Sequence, residues 1–170
     1  MILREKMKTK AKGKMILSFV MALVLTLSFS TSVFALTPSN TTSTAQRNKI
    51  AKNWTYRSRG YAEQNCLSYA IGKGNVWTWP WGASNPTKAQ SQAHLKKQGY
   101  TKFKNANVAG HLPKTEVYAY VLNSGITHFA KQYSGGGSIA KWGSCEKFSS
   151  NSANPYTNYV YGKLSYRCCK

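Results

Sequence analysis

The sequence contains no aspartate, and its acidic side chains are four glutamates (Glu5, Glu63, Glu116 and Glu146) against 24 lysines and arginines in 170 residues. A chain so short of acid cannot balance its own cations. Such a balance predicts either attraction to polyanions such as wall polymers, anionic lipid or nucleic acid, or solubility alone, and the imbalance by itself does not choose among them. Histidine is nearly as scarce: His94, His111 and His128 are the full set. The four cysteines include the adjacent pair Cys168 and Cys169, without C-x-x-C spacing or a nearby histidine, which excludes a zinc site. No second long apolar run follows the first, over residues 15–29, so no further membrane span is expected. There is also no internal repeat, no basic amphipathic helix of the surface-lying kind, no recognised nucleic-acid motif and no cofactor motif.

What is present begins with a leader. Arg4, Lys6, Lys8, Lys10, Lys12 and Lys14 form a basic segment, an apolar run follows, and small residues end at Ala35. This is the pattern of a secretory signal peptide over residues 1–35, with an extracellular product. Cleavage there removes six basic residues and one acidic residue, leaving 18 against 3, a formal charge of +15. Residues 36–46 are rich in Ser, Thr, Pro and Asn and read as a flexible linker. Ser43 and Gln46 have capping-box spacing, which predicts a short helix over about 45–54. Residues 47–170 are enough for one domain with its own core, expected as a monomer.

The most informative stretch is 64–72, Gln-Asn-Cys-Leu-Ser-Tyr-Ala-Ile-Gly. Asn65 is a favoured N-cap, Leu67, Ala70 and Ile71 repeat with helical period, and Gly72 or Gly74 supplies the left-handed stop. Cys66 falls in the first helical turn, where free N–H groups favour a thiolate, and so is a candidate nucleophile. Its base need not be close in sequence. His128 lies in a strand pattern after the Asn123-Ser124-Gly125 turn and is the candidate base. The competing reading makes Cys66 half of a disulfide. If Cys66 is free, Cys145 can pair with Cys168 or Cys169 in an exported protein.

Along the rest of the chain, Trp77, Trp79 and Trp81 crowd a Pro/Gly-containing loop. Trp79 and Trp81 can pack that loop on the core or flank a cleft beside the nucleophile. Asn85 and Pro86 look like an N-cap and N1 for a helix over 86–98 that stops at Gly99. His94 is an ordinary helical residue there, and His111, before Leu112-Pro113, is a rival base. Residues 116–122 and 126–133 form an antiparallel hairpin, 138–142 a further strand, 145–155 a loop, and 158–166 a Tyr-rich strand with Gly162 at a bulge or close approach. Helices first and antiparallel strands after make an α+β fold.

Several motifs stand in one order: Asn65-Cys66-x-x-Tyr69-Ala70, Trp79-Pro80-Trp81-Gly82, Gly99-Tyr100, Thr127-His128-Phe129-Ala130, Lys141-Trp142-Gly143 and Val160-Tyr161-Gly162. Together they resemble small exported bacterial proteins with a papain-like fold, related in layout to the NlpC/P60 cell-wall peptidases. The resemblance implies a helix bearing the nucleophile Cys66, packed with other N-terminal helices on a C-terminal antiparallel sheet that carries the base His128. It implies no cofactor and no metal. NlpC/P60 enzymes present a polar orienting residue on the strand after the base. Here 139–144 holds neither His nor Asp, so Ser144 is the candidate orienter, with Gln132 and Asn151 behind it. The implied activity is a secreted cysteine hydrolase cleaving an amide bond, with an anionic cell-envelope polymer or peptide as substrate. Gln64 and Asn65 would offer side-chain donors, and Trp79 and Trp81 would line the substrate. The alternative is an inactive papain-like module that binds anionic envelope material or a protein partner. A cationic membrane-active protein ranks behind both.

Overall fold

The structure, a computed structural model, describes residues 39–108, 112, 114 and 117–170. The leader 1–35, the first three residues of the linker, His111 and Glu116 lie outside the described residues.

Local capping sets the helices. In α1 (Thr44–Ile50) the Ser43 and Gln46 side chains each take the other's backbone N–H, at 3.2 and 2.8 Å. The reciprocal bonds satisfy two donors that the helix itself cannot. In α2 (Cys66–Ile71) Asn65 and Ser68 do the same, and Gly72 ends the helix with φ of 74°. α3 (Lys88–Lys97) is capped by Thr87 with Gln90, not by Asn85 as the Asn-Pro pair suggests. Thr87 and Gln90 close a full capping box, whereas Asn85 packs its Cβ against Gly125.

Among the described residues there are seven strands: β1 (Thr55–Ser58), which falls between α1 and α2 and not after the helices as expected, then β2 (Lys102–Asn105), β3 (Val117–Leu122), β4 (Gly125–Gln132), β5 (Ser138–Lys141), β6 (Lys147–Ser150) and β7 (Lys163–Cys169). They pair antiparallel in one sheet of order β1-β6-β5-β4-β3-β7-β2. The architecture is α+β, with few helices and a seven-stranded antiparallel sheet. β1 and β2 have no clear sequence period because they are short edge strands paired on one side only. β6 lies inside the stretch 145–155 expected as a loop, where pairing to β5 and β1 outweighs its Ser-rich composition. β7 starts later than 158, because Gly162 turns the chain with φ of 72°. A Cβ there would meet the Val121 carbonyl oxygen at 2.0 Å, so the expected close approach is real.

The register decides which side chains share a face. Val117 and Ala119 with Phe129 face one layer, and Tyr118 and Tyr120 with Ala130 and His128 face the other. The first face is covered by α2, α3 and the Trp loop, enclosing Cys66, Leu67, Leu95, Phe129 and Tyr166. The second encloses Tyr120, Ala140, Trp142, Phe148 and Tyr156 under the N-terminal segment and the 151–161 loop.

Two expectations are corrected here. The linker is docked from Ser39 onward: Ser39 exchanges hydrogen bonds with Gly60, and Asn40 donates its backbone N–H to the Ser144 carbonyl at 3.0 Å. Thr42 bonds Glu146 through both N–H and hydroxyl, at 3.0 and 2.7 Å, and Arg47 meets the same carboxylate at 3.0 Å. Glu146 supplies an anchor that Ser/Thr composition does not reveal. The expected disulfide is also absent, since all four cysteines are free thiols. Cys145 sits in the β5–β6 turn, while Cys168 and Cys169 lie on β7, three strands away from β5. At about 4.8 Å per strand that separation exceeds the reach of a disulfide.

Candidate functional site

Cys66 is where its capping residues put it, in the first turn of α2, and it is 5% exposed. The backbone N–H groups of Phe129, Leu67 and Cys66 itself converge on the sulfur. Burial dominates and pushes the thiol up to about 11, while those N–H groups and the Lys141 ammonium pull the other way. At neutral pH the sulfur is therefore a thiol.

His128 is fully buried one residue before Phe129. Its ring stacks on Tyr161 with centroids 3.7 Å apart, and Nε2 lies 3.1 Å from the Tyr156 hydroxyl. Nδ1 is buried with no hydrogen-bond partner. Desolvation lowers the imidazole to about 3, so it is neutral. No hydrogen bond joins His128 to Cys66: the sulfur rests against the N–H of the His128–Phe129 peptide while the ring turns to the Tyr156 layer. The Tyr156 and Tyr161 hydroxyls still feel the charge of Cys66, although burial is the main reason that both are held well above the usual tyrosine range. Thiol and imidazole thus lie in different layers, the sulfur in the core under α2 with Phe129 and the ring among Tyr120, Tyr156 and Tyr161.

The other expected residues fall as follows. Ser144 accepts from Asn40 Nδ2 at 3.1 Å and does not touch His128, so it is not the orienter. The group on the imidazole is Tyr156, which the sequence does not flag because it stands in a loop 28 residues beyond His128. Gln64 donates to the Gly74 carbonyl at 2.6 Å and Asn65 to the Thr78 carbonyl at 2.8 Å. Both amides therefore pin the loop after α2 and are not free for substrate. Trp79 and Trp81 pack on Phe129, with centroids 6.1 and 6.5 Å away, so they roof the core beside Cys66. Trp77, more than half exposed, is the free indole of the three. His94 packs edge-on to Trp81.

Sequence reasoning passed over Lys141. It is fully buried and donates to the carbonyls of Gly143 (2.9 Å) and Cys145 (2.5 Å). Desolvation lowers it to about 8. Among the described residues no group of three or more His, Cys, Asp or Glu is placed to hold a metal, and no helix is long and apolar enough to cross a membrane. Two clefts elsewhere are lined by cations without acidic side chains. One, of about 440 Å³, holds Lys52, Trp54, Arg57, Tyr133 and Asn151. The other, of about 360 Å³, holds Tyr100, Lys114, Lys131, Gln132 and Lys170.

Residues 41–169 match the model of a domain of unknown function, DUF7689. The chain belongs to that family. No curated protein and no solved structure matches it. The family match begins at residue 41, within the docked N-terminal segment that composition alone assigns to a linker.

Proposed function

We propose that this DUF7689 protein is a secreted cysteine hydrolase of papain-like layout, acting on an amide bond in anionic envelope material. Cys66 is its nucleophile and His128 its base. The observation that carries the reading is the state of the imidazole: Nε2 is held by Tyr156 while Nδ1 is buried and unpaired, beside the peptide whose N–H supports the Cys66 sulfur. A base needs one nitrogen oriented and the other open toward the thiol. In the tautomer protonated at Nε2, that nitrogen donates to the Tyr156 hydroxyl and Nδ1 carries the lone pair.

The mechanism follows from two neutral groups. The S–H bond breaks as sulfur attacks the carbonyl carbon, and the proton passes to His128 Nδ1. The imidazolium then protonates the leaving nitrogen, and water, deprotonated by the same ring, releases the acyl group and regenerates the thiol. Both groups are enclosed in this structure and the imidazole faces Tyr156 and Tyr161, so the reaction requires the Trp79–Trp81 roof to move and the His128 ring to turn toward the sulfur. The +15 charge of residues 36–170 and the lysine- and arginine-lined clefts, which hold no acidic side chain, favour an anionic substrate.

A second reading is favoured by the same burial: an inactive module that binds anionic envelope polymer. Incubating the protein with purified peptidoglycan and a panel of peptide amides separates them. Release of new amino groups by the wild type, abolished in Cys66→Ala and His128→Ala, supports the hydrolase. Binding without release in all three proteins overturns it in favour of the module.

A further inference from the structure

The edge strand β1 carries a bulge at Arg57. Thr55 pairs with Ser149 and Tyr56 with Phe148, but Lys147 pairs with Ser58, so Arg57 is the extra residue. In an unbroken ladder Arg57 would stand opposite Lys147, a like-charge pair that costs stability. The bulge takes it out of the ladder and re-aims its side chain. Arg57 Nε donates to the Ser149 hydroxyl at 2.6 Å, and the guanidinium lies over the Tyr133 ring, 4.9 Å from its centroid. Ser149 is only 3% exposed, so the hydroxyl that holds this surface arginine is itself fixed in the sheet.

Those two contacts set the guanidinium plane and leave both Nη groups without a partner among the described residues. The carboxylate of Glu146 is taken by Arg47 and does not neutralise Arg57. A planar fork held in this way matches a carboxylate or phosphate through two parallel N–H···O bonds. It lines the cleft of about 440 Å³, a volume typical of small-molecule sites. Lys52 adds a second cation there, and Asn53 and Asn151 bring side-chain amides with no partner among the described residues. Trp54 and Tyr133 are the aromatic walls. Trp54 is held in place, since its Nε1 donates to Asn48 at 2.9 Å and the Arg47 guanidinium covers its ring at 5.2 Å. Aromatic rings suit the apolar faces of a sugar and amides suit its hydroxyls.

We propose that this cleft is a binding subsite for an acidic saccharide, a sugar unit carrying a carboxylate or phosphate, with Arg57 taking the anionic group. The inference rests on the reading of anionic envelope material as the ligand, and not on the chemistry of Cys66, which does not line the cleft. A bare phosphate would leave the amides and the two aromatic walls unused. A neutral sugar would leave Arg57 and Lys52 unpaired. The second cleft differs in kind: its cations are lysines, point charges without a fork.

The test is calorimetric titration of the full chain at about 0.15 M salt, where diffuse surface charge is screened. The probes are trigalacturonic acid, a glucose monophosphate, neutral maltotriose and inorganic phosphate. One of the two acidic sugars is expected to bind at least about tenfold more tightly than both maltotriose and inorganic phosphate, and which one does so names the anionic group. Arg57→Met is expected to weaken that binding by about tenfold or more, the loss of a charge-assisted pair. Arg57→Lys, with the charge but not the fork, should restore it only in part. Lys102→Met removes an exposed cation from the opposite edge strand and should leave it in place. No binding of either acidic sugar, inorganic phosphate binding as tightly, equal weakening in Lys102→Met, or wild-type affinity in Arg57→Met each overturns the proposal. If Arg57→Met does not fold, Tyr133→Leu decides: the same loss is expected, and unchanged affinity overturns the proposal. None of these readouts needs turnover. Arg57-dependent binding by a protein that releases no amide defeats the hydrolase alone, and an active protein whose binding ignores Arg57 defeats the subsite alone.

Discussion

The Tyr156 hydroxyl stands 3.1 Å from His128 Nε2 and is the hydrogen-bond partner of that imidazole, with Tyr161 stacked on its face. A ring fixed in this way has one orientation, and removing the hydroxyl leaves a buried nitrogen unpaired. Tyr156→Phe is expected to destabilise the fold by about 1–3 kcal/mol in urea unfolding, the penalty of an unsatisfied buried polar group. In the peptide-amide assay it should lower kcat more than KM. Unchanged stability and kcat would remove Tyr156 from the orienting role.

Acid should unfold the protein in two stages. His128 titrates at about 3 in the fold against 6.5 when unfolded, so the unfolded state binds the proton first as pH falls. Its contribution is intact above 6.5 and is lost progressively on going down. At pH 5 that loss amounts to about 2 kcal/mol. Glu146 behaves as a depressed carboxylate. Desolvation opposes ionisation, but the hydrogen bonds from Thr42, the Glu146 N–H and the Arg47 charge together outweigh it. Its stabilisation is present above 4.5 and disappears as pH falls through the lowered folded value. His94 is also lowered and adds to the first stage, so the comparison is with a variant. His128→Gln should flatten the pH 7 to 5 slope, and Glu146→Gln the slope below 4.5, as read by urea midpoints at each pH.

Breaking the Glu146 anchor also has a pH-independent cost. Arg47 and Glu146 are both largely buried, and truncating one partner strands the other. At pH 7, Glu146→Ala is expected to lose about 3 kcal/mol and to release the segment from Ser39 to α1. Hydrogen exchange at Asn40 and Thr42 reports the release, and protection equal to wild type would show that the ion pair is not the anchor.

Two glycines make a graded pair. Gly60→Ala sets a Cβ 2.6 Å from the Lys141 stem, which has to shift within a packed layer, for about 1–3 kcal/mol. Gly162→Ala combines φ of 72° with a Cβ at 2.0 Å from a backbone oxygen, which no side-chain motion relieves. Thermal melts should rank wild type above Gly60→Ala, and Gly60→Ala above Gly162→Ala. The reverse order between the variants would contradict the packing described.

The thiols should react in order of access. Cys145 is half-buried, and Cys66, Cys168 and Cys169 are buried. Native protein given limiting iodoacetamide at pH 8 is expected to carry its first label at Cys145, with all four labelled in urea. Mass spectrometry after proteolysis reads the order, and a first label on Cys66 would mean that its enclosure opens readily.

Much of the local structure was legible in the chain because its causes are local. The capping box Ser43/Gln46 acts over three residues, the N-cap Asn65 and the stop at Gly72 act within one turn, and the β3–β4 hairpin needs two adjacent apolar runs. β1, β2 and β6 were not legible, because four-residue strands owe their conformation to partners far away. The docked segment at Ser39–Thr42 was hidden for the same reason: its partners Gly60, Ser144 and Glu146 are distant in sequence.

The candidate site divides along the same line. The residues by themselves determined that Cys66 opens a helix and that His128 sits in a strand, since backbone propensity and N-capping settle both. Only the tertiary structure decided what meets them. Strand register turned His128 toward Tyr156 and Tyr161 and set Phe129 on the face under α2 with Cys66. One residue of slip along a strand exchanges its two faces, and that choice belongs to the assembled sheet and not to any segment of it.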